Sequence, residues 1–455
     1  MNDASKCSLF KINAFLVSSL ALVSSLSAET RVIDLAEALR LADERNARLA
    51  LSIERSRQAT IESQQAWLQW LPTVRYGTSF AHQDGLLQET DGNLLNAERN
   101  GRFDGFGSGG IGSGLASRPG LALEVDTAEA VFGASLHKHK RIAAEARTES
   151  ERLRIMLQVA EAYYDLAKAE RVLQLAQNAV ANAQELAKIT RDYAEAGEGL
   201  IADAERASVE ALLQQQHFEN AQFAQADASA NLNALLQLGA DVELKTDGNT
   251  IAPLKLTGLE GSLDQFLSTA RSQRPEMRSA AAERKASEAA TRESSLSPLF
   301  PRVGASYSDT DFGGGVGSNN NLESSREETA FAVYWELDQL GLGSLNKNRI
   351  QKSKLRQAEA MERQAEAEVE ASVLQAYTRW KATEKQLELA KRMVDSARTS
   401  FELSRDRVFE NQGLPLEAMQ AMQALAQAET NYVTVVARYN LSQIALKTAI
   451  GEPAR

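Results

Sequence analysis

A mainly helical chain with a β portion suited to a membrane is the fold class that this 455-residue sequence predicts. Three observations lead there. Long tracts rich in Ala, Gln, Glu, Leu and Arg run without proline or glycine, a composition of long helices rather than of a thick globular core. Four segments of about nine residues alternate apolar and polar side chains, the pattern of half-exposed strands. The second half of the chain repeats the first.

Taken in order, the chain opens on an export signal. Lys6 and Lys11 precede an apolar run, residues 14–26, too short to span a bilayer, and Ser27 and Ala28 supply small residues for cleavage. Residues 1–28 are expected to leave the mature protein. Cys7, the single cysteine, precedes the apolar run, so it leaves too and cannot carry a lipid anchor. The mature chain then has no disulfide and no cysteine-based metal or redox site. The net charge of −11 comes with no basic stripe, which argues against nucleic acid as a partner. No apolar run after residue 28 approaches the length of a membrane helix, so any crossing must be made by strands.

The repeat shows when the chain is slid against itself until Val159 meets Val373, an offset of 373 − 159 = 214. Residues 159–200 then align with 373–414 without a gap, and 13 of 42 positions are identical. They include Tyr163/Tyr377, Glu170/Glu384, Arg191/Arg405, Asp192/Asp406, Gly199/Gly413 and Leu200/Leu414. Upstream, Pro72-Thr73-Val74 matches Pro301-Arg302-Val303 at an offset of 229. The difference, 229 − 214 = 15, places an insertion in the first copy, within the Gly-rich stretch 83–119. The expected organisation is a first structural repeat over 29–240, a linker or equatorial segment over 241–258 and a second repeat over 259–455. Each repeat runs helix, strand, loop, strand, long helix, turn, long helix.

The helices predicted over about 135–196 and 345–411 are each close to 90 Å long, at about 1.5 Å per residue. Shorter ones return over about 200–238 and 415–450, with Pro415 suited to a first helical turn. Apolar or small residues recur every three and four positions: Leu173, Ala176, Val180, Ala183 and Ala187, then Ala418, Ala421, Leu425, Ala428, Tyr432, Val435 and Tyr439. Such seams pack helices side by side as antiparallel coiled coils.

Strands are predicted over about 73–81, 121–131, 302–308 and 329–337. Val74, Tyr76, Thr78 and Phe80 share one face of the first; Val303, Ala305 and Tyr307 share one face of the third. Phe331, Val333, Trp335 and Leu337 share one face of the fourth. Four strands cannot close a barrel, and an open sheet edge in lipid leaves unpaired backbone groups costing several kcal/mol each. Copies of the chain must therefore share one barrel. Two copies supply eight strands and three supply twelve; eight-stranded barrels are filled by their own side chains, so a conducting pore favours three or more.

The residues "IDLAEALRLADERNARL" from Ile33, "WLPTV" from Trp70, "LFPRV" from Leu299, "YWELDQLGLG" from Tyr334, and the closing "LLQLGA" and "LKTAIG" resemble the TolC-like outer-membrane efflux protein family. The resemblance covers nearly all of the mature sequence and lies in order and spacing across two copies. It implies a homotrimer whose twelve-stranded outer-membrane barrel continues as an α-helical tunnel through the periplasm of a Gram-negative bacterium. It also implies a passive exit duct working with a periplasmic adaptor and an inner-membrane transporter of RND or ABC type. No enzyme activity and no cofactor are expected. A type I protein or peptide secretion system would use the same architecture, and a non-conducting periplasmic scaffold is the third reading.

By the same resemblance, the turns between helices form the periplasmic tip, which contacts the adaptor and holds the entrance closed. Ala196, Gly197, Gly199 and Leu200 make the first turn; Asn411, Gly413 and Leu414 make the second. The family's acidic residue just inside the entrance falls on Asp203 and Glu417, with Glu417 assigned a carboxylate ring favouring cations and Asp203 a latch or second ring. Acids are also favoured in any first helical turn by the helix dipole. The family's basic latch residue in the second turn is replaced here by Gly413. Trp70, Tyr76, Phe80, Tyr307, Phe331 and Trp335 are expected as membrane-interface aromatics, with Trp67 beside them and Trp380 in helix packing.

Two further patterns are set aside. "GFGSGG" from Gly105 satisfies a dinucleotide-binding spacing, but no strand–helix unit surrounds it, and a barrel loop is expected. "HKHK" from His137 places its histidines two apart, off a shared helix face, so metal chelation is not expected and no metal site is assigned.

Overall fold

The computed structural model describes residues 29–71, 77–106, 121–239, 241–248, 251–314, 324–336, 338–410 and 412–453. The expected export signal (residues 1–28), Pro72-Thr73-Val74, Tyr76, most of "GFGSGG", Leu337 and Asn411 lie outside them.

Eight α-helices carry most of the described residues. The first four are α1 (Leu35–Arg45), α2 (Ala47–Leu68), α3 (Thr127–Glu195) and α4 (Ile201–Leu236). The second four are α5 (Leu263–Gln273), α6 (Pro275–Leu296), α7 (Leu342–Phe409) and α8 (Pro415–Ala449). Their lengths run 11, 22, 69 and 36 residues, then 11, 22, 68 and 35. At about 1.5 Å per residue α3 and α7 are each about 100 Å long. The predicted boundaries fall close to the observed ones, the widest departure being the start of α3 at Thr127 rather than near 135. None of these helices is apolar and long enough to cross a membrane.

Local chemistry sets the starts. The carboxylate of Asp34 accepts from the Glu37 amide at 2.7 Å and opens α1. Asn46 separates α1 from α2: its Oδ1 accepts from Arg48 and Leu49 amides, and its Nδ2 donates to the Leu235 carbonyl at 3.1 Å. Ser262 and Gln265 form a reciprocal capping box at α5, and Pro275 and Pro415 open α6 and α8.

Among the described residues there are seven strands: β1 (Glu29–Ile33), β2 (Gly77–Gln88), β3 (Leu94–Phe106), β4 (Leu121–Asp126), β5 (Val242–Thr246), β6 (Arg302–Gly314) and β7 (Ser324–Tyr334). β2, β3, β4, β6 and β7 form one antiparallel sheet. β3 and β4 lie end to end along the same edge of β6, and Phe106 and Leu121 both take Tyr307 as their register partner. The sheet is therefore four lanes wide: β2, then β3 with β4, then β6, then β7. The first half's excess over continuous pairing, 121 − 106 = 15, equals the difference between the two sequence offsets.

Three strand expectations are corrected. The segment expected to be extended over 121–131 ends at Asp126, whose carboxylate accepts from the Ala128 and Glu129 amides at 3.0 and 3.1 Å and starts α3; Val131 is helical. Trp335 lies past the end of β7 and donates from Nε1 to the Leu299 carbonyl at 3.3 Å. The expected four strands are joined by β3, which shares its lane with β4, and by a separate parallel pair, β1 with β5. Each strand of that pair has five residues, too few for alternation to announce it. Its partners come from distant parts of the chain, Glu29 with Val242 and Ile33 with Thr246.

Packing follows one plan from end to end. Next to the sheet α2 lies on α3, α3 on α6 and α6 on α7; beyond the middle α4 lies on α3, α3 on α8 and α8 on α7. The chain is a four-wide plank. Along one long edge run β2, α2 and α4; along the other run β7 and α7. The two largest apolar cores sit at the middle, where α1, α5 and the β1–β5 pair lie over the long helices. Tyr163, Leu166, Leu232, Leu236 and Leu244 fill one; Phe266, Val373, Trp380 and Leu446 fill the other. There Glu170 accepts from the Thr246 amide at 2.9 Å and from its hydroxyl, tying α3 to β5. Burial pushes the Glu170 carboxyl above its ordinary value, with the two Thr246 bonds pulling the other way.

Candidate gate and docking site at the helix turns

The far end of the plank is made of two turns, α3 to α4 and α7 to α8. In the first, Gly197 takes a φ of +79°, open to glycine at little cost. Glu198 and Gly199 amides both donate to the Tyr193 carbonyl at 3.0 Å, folding the chain back over the last turn of α3. A Cβ on Gly199 would sit 3.3 Å from Tyr193 Cβ and from the Ala194 amide nitrogen. In the second turn the Gln412 amide donates to the Arg407 carbonyl at 2.8 Å, and a Cβ on Gly413 would sit 2.9 Å from Arg407 Cβ. The Gly-Leu pair, written once in each half, has one physical reason. The glycine lies against the preceding helix where a side chain does not fit. The leucine then takes extended backbone angles and precedes the next helix.

Those leucines cap with backbone alone, and their side chains stay in solvent: Leu200 is 68% exposed and Leu414 62%. Ile201, Phe409 and Leu416 are exposed beside them. The end of the molecule is thus two turns whose exposed apolar side chains stand beside the exposed Glu195, Glu198 and Glu410. Tyr193 bridges them, its hydroxyl donating to the Phe409 carbonyl at 3.1 Å.

The two acids occupy first helical turns, as expected. Asp203 has 19% of its side chain exposed and pairs at 3.3 Å with Arg206, one turn along its own helix. Glu417 is 49% exposed and pairs at 3.7 Å with Arg407, across its own hairpin. Surface pairs of this kind are worth about 0–1 kcal/mol. The structure does not bring Asp203 and Glu417 into contact with each other. Sequence reasoning missed Arg407 and Tyr193, which occupy equivalent positions (407 − 193 = 214) and each reach across to hold a turn.

The aromatic residues fall at the opposite end. Phe80 lies on β2, Tyr307 on β6 and Phe331 on β7, all exposed, with Trp67 at the end of α2 and Trp70 just beyond it also exposed. Register sets Val303, Ala305 and Tyr307 opposite Val333, Phe331 and Thr329 on one side, and Val303 opposite Val125 on the other. Directly opposed residues share a face, so an apolar band crosses the lanes. Trp380, by contrast, is buried beside Tyr377 with Lys381 over its ring, a packing role. His137 and His139 lie on α3 below the sheet; burial, then Lys285 and Lys138, hold the His139 imidazole below its ordinary value. Among the described residues no group of three His, Cys, Asp or Glu side chains could hold a metal ion.

An antiparallel sheet with an exposed apolar band, a plank of long helices and two exposed Gly-Leu turns make up the molecule, and sequence comparison specifies the class. The outer membrane efflux protein family matches residues 38–237 and 266–452, so the chain belongs to that family. Solved relatives share the fold over nearly the whole chain. The outer-membrane channel OprN is 19% identical with a TM-score of 0.73, over 92% of this chain and 90% of its own. The Campylobacter jejuni CmeC outer membrane channel is 13% identical with a TM-score of 0.74, over 98% and 94%. The Neisseria gonorrhoeae MtrE outer membrane channel is 17% identical with a TM-score of 0.69, over 92% and 89%. A comparison with curated protein sequences finds no match. The family is one of transport channels, and the role it implies is non-enzymatic efflux at the outer membrane.

Proposed function

We propose that three copies of this chain close into a passive exit duct of a tripartite efflux system, with a twelve-stranded barrel in the outer membrane and an α-helical tunnel in the periplasm. One observation carries the reading: the chain has two unsatisfied long edges, and each runs from the sheet to the tip. The β2 edge of one copy pairs with the β7 edge of the next, and α2 and α4 meet the next copy's α7. Exposed apolar residues already mark both sides, Leu51, Ile61, Leu212 and Phe223 on one, Leu374 and Met393 on the other. Pairing both sheet edges removes the unpaired backbone that lipid penalises, and twelve lanes leave a lumen that eight do not. The equal helix lengths of the two halves support a duplicated unit.

The tip, with Ala196, Gly197, Gly199, Leu200, Gly413 and Leu414, docks the helical hairpins of a periplasmic adaptor, which joins the duct to an inner-membrane transporter. Energy comes from that transporter. Glu417, half exposed in the first turn of α8, forms a ring of three carboxylates at the entrance, and Asp203 a second acidic level beside it. The protein is tested in planar bilayers after purification in detergent. The expected result is a trimer with discrete, cation-preferring conductance, and a Glu417→Ala variant with altered current and weaker cation preference. A stable monomer without conductance would overturn the duct, and unchanged current and selectivity in Glu417→Ala would remove the ring.

A further inference from the structure

Glu210 is the one charged residue among the described residues that is buried, at 6% exposure, and no part of the duct reading uses it. It lies on α4, nine positions beyond the first residue of that helix, in the seam where the first hairpin meets the second. Around it Ala183, Leu186 and Ala207 of the first hairpin pack against Phe401, Ala418, Met419 and Met422 of the second. One carboxylate oxygen accepts from Gln214 Nε2 at 2.7 Å, one turn along α4. The other accepts from Gln423 Nε2 at 2.6 Å, on α8. Among the described residues no lysine or arginine pairs with it, so a carboxylate is held in an apolar seam by two neutral amides. Its counterpart in the second half is Ala424 (210 + 214 = 424), so the device is written once.

We propose that Glu210 sets how readily the two hairpins part: its charge pushes the seam toward opening, while its bond to Gln423 holds it shut. Burying a carboxylate is costly unless hydrogen bonds repay it, and two neutral donors repay it only in part. Separating α4 from α8 gives the carboxylate back to water. The joined and parted states are thereby kept close in free energy, as a gate requires. The tip ion pairs do not do this, since Asp203 and Glu417 each pair within their own hairpin. The inference rests on the reading of the turns as the entrance of a duct.

Its signature is two substitutions of opposite sign. Glu210→Gln keeps shape and can still bond to Gln423 after an amide rotation, yet removes the charge; it favours the joined state. Gln423→Ala leaves the charge short of one donor; it favours the parted state. The reporter is Ala421→Cys, a buried seam position and the single thiol expected in the mature chain, with the rate of modification by a small thiol reagent on the assembled protein in detergent. Losing one hydrogen bond to a buried charge predicts about tenfold faster labelling in Gln423→Ala, and Glu210→Gln labels several-fold slower than the parent. Glu210→Ala, lacking charge and bond together, labels between them and covers a failure of either single variant to assemble. Shifts in the same direction, or none above about twofold, would overturn the proposal. Conductance is recorded on the same samples. Opposite labelling shifts in a protein that never conducts would retain the seam device and reject the duct, whereas normal conductance with flat labelling does the reverse.

Discussion

Replacing Gly413 by alanine tests the physical account of the turns most directly. The added Cβ would lie 2.9 Å from Arg407 Cβ, 3.1 Å from its carbonyl carbon and 3.2 Å from the Val408 nitrogen. Ordinary contacts between such atoms begin near about 3.5 Å. All three obstacles belong to the last turn of α7 and none is the free end of a side chain. The turn must therefore lift by roughly half an ångström, stretching the bond from the Gln412 amide to the Arg407 carbonyl. Overpacking of this kind costs about 1–3 kcal/mol, and a strain confined to the tip appears as local opening rather than as a lower global stability. Since about 1.4 kcal/mol is a factor of ten, amide hydrogen exchange in a peptide covering residues 405–420 should speed up by about 5- to 150-fold. Gly199→Ala meets its nearest atoms at 3.3 Å and should accelerate exchange over 191–206 by less. Gly197→Ala offers a contrast: nothing lies near its Cβ, and its cost comes from a φ of +79°, about 1–2 kcal/mol for an L-residue. If Gly413→Ala left exchange within twofold of the parent, or if Gly199→Ala proved the more disruptive, close backbone approach would not be the reason for the repeated glycine.

Two further outcomes follow from the middle and the top of the molecule. The Glu170 carboxyl is raised by burial, so the folded state holds its proton to higher pH than the unfolded chain does. Its contribution is fully present below the ordinary carboxylate range and is lost as pH rises through the folded value. Melting temperatures followed by circular dichroism should accordingly show Glu170→Gln gaining on the parent as pH rises through that window; parallel curves would deny the linkage. Phe331 lies on β7 within the apolar band, and Phe331→Lys should cost about 2–4 kcal/mol if that face meets the bilayer centre. Loss of folding into lipid vesicles, with the isolated helices unaffected, would be seen by heat-dependent gel mobility. Normal insertion would mean that the band faces inward.

How much of this was legible in advance depends on the range of the interactions. The four long helices could be read because nothing but local spacing is needed: seams of Ala, Leu and Val at three and four residues, Pro415 at a helix start, glycines at both turns. The strand over 121–131 was read too long: its alternation runs only from Leu121 to Asp126, where Thr127 and Glu129 break the apolar face and the Asp126 carboxylate caps α3. The insertion in the first half was visible as a change of offset. That it falls between Phe106 and Leu121, which share Tyr307 as register partner, is a matter of pairing between distant strands.

By itself the amino-acid order determined the four long helices, most of the main sheet's strands, the sequence repeat, the family, and the positions of Asp203, Glu417 and the turn residues, because periodicity, caps and tight turns are local properties of a chain. Tertiary structure alone decided which groups meet. It paired β1 at the start of the chain with β5 beyond the first hairpin, gave Arg407 to Glu417 and Tyr193 to Phe409, and buried Glu210 beneath Gln423. Those outcomes turn on which faces of the long helices pack together, and a rotation of a few tens of degrees about a helix axis, to which the heptad pattern is indifferent, exchanges one set of partners for another.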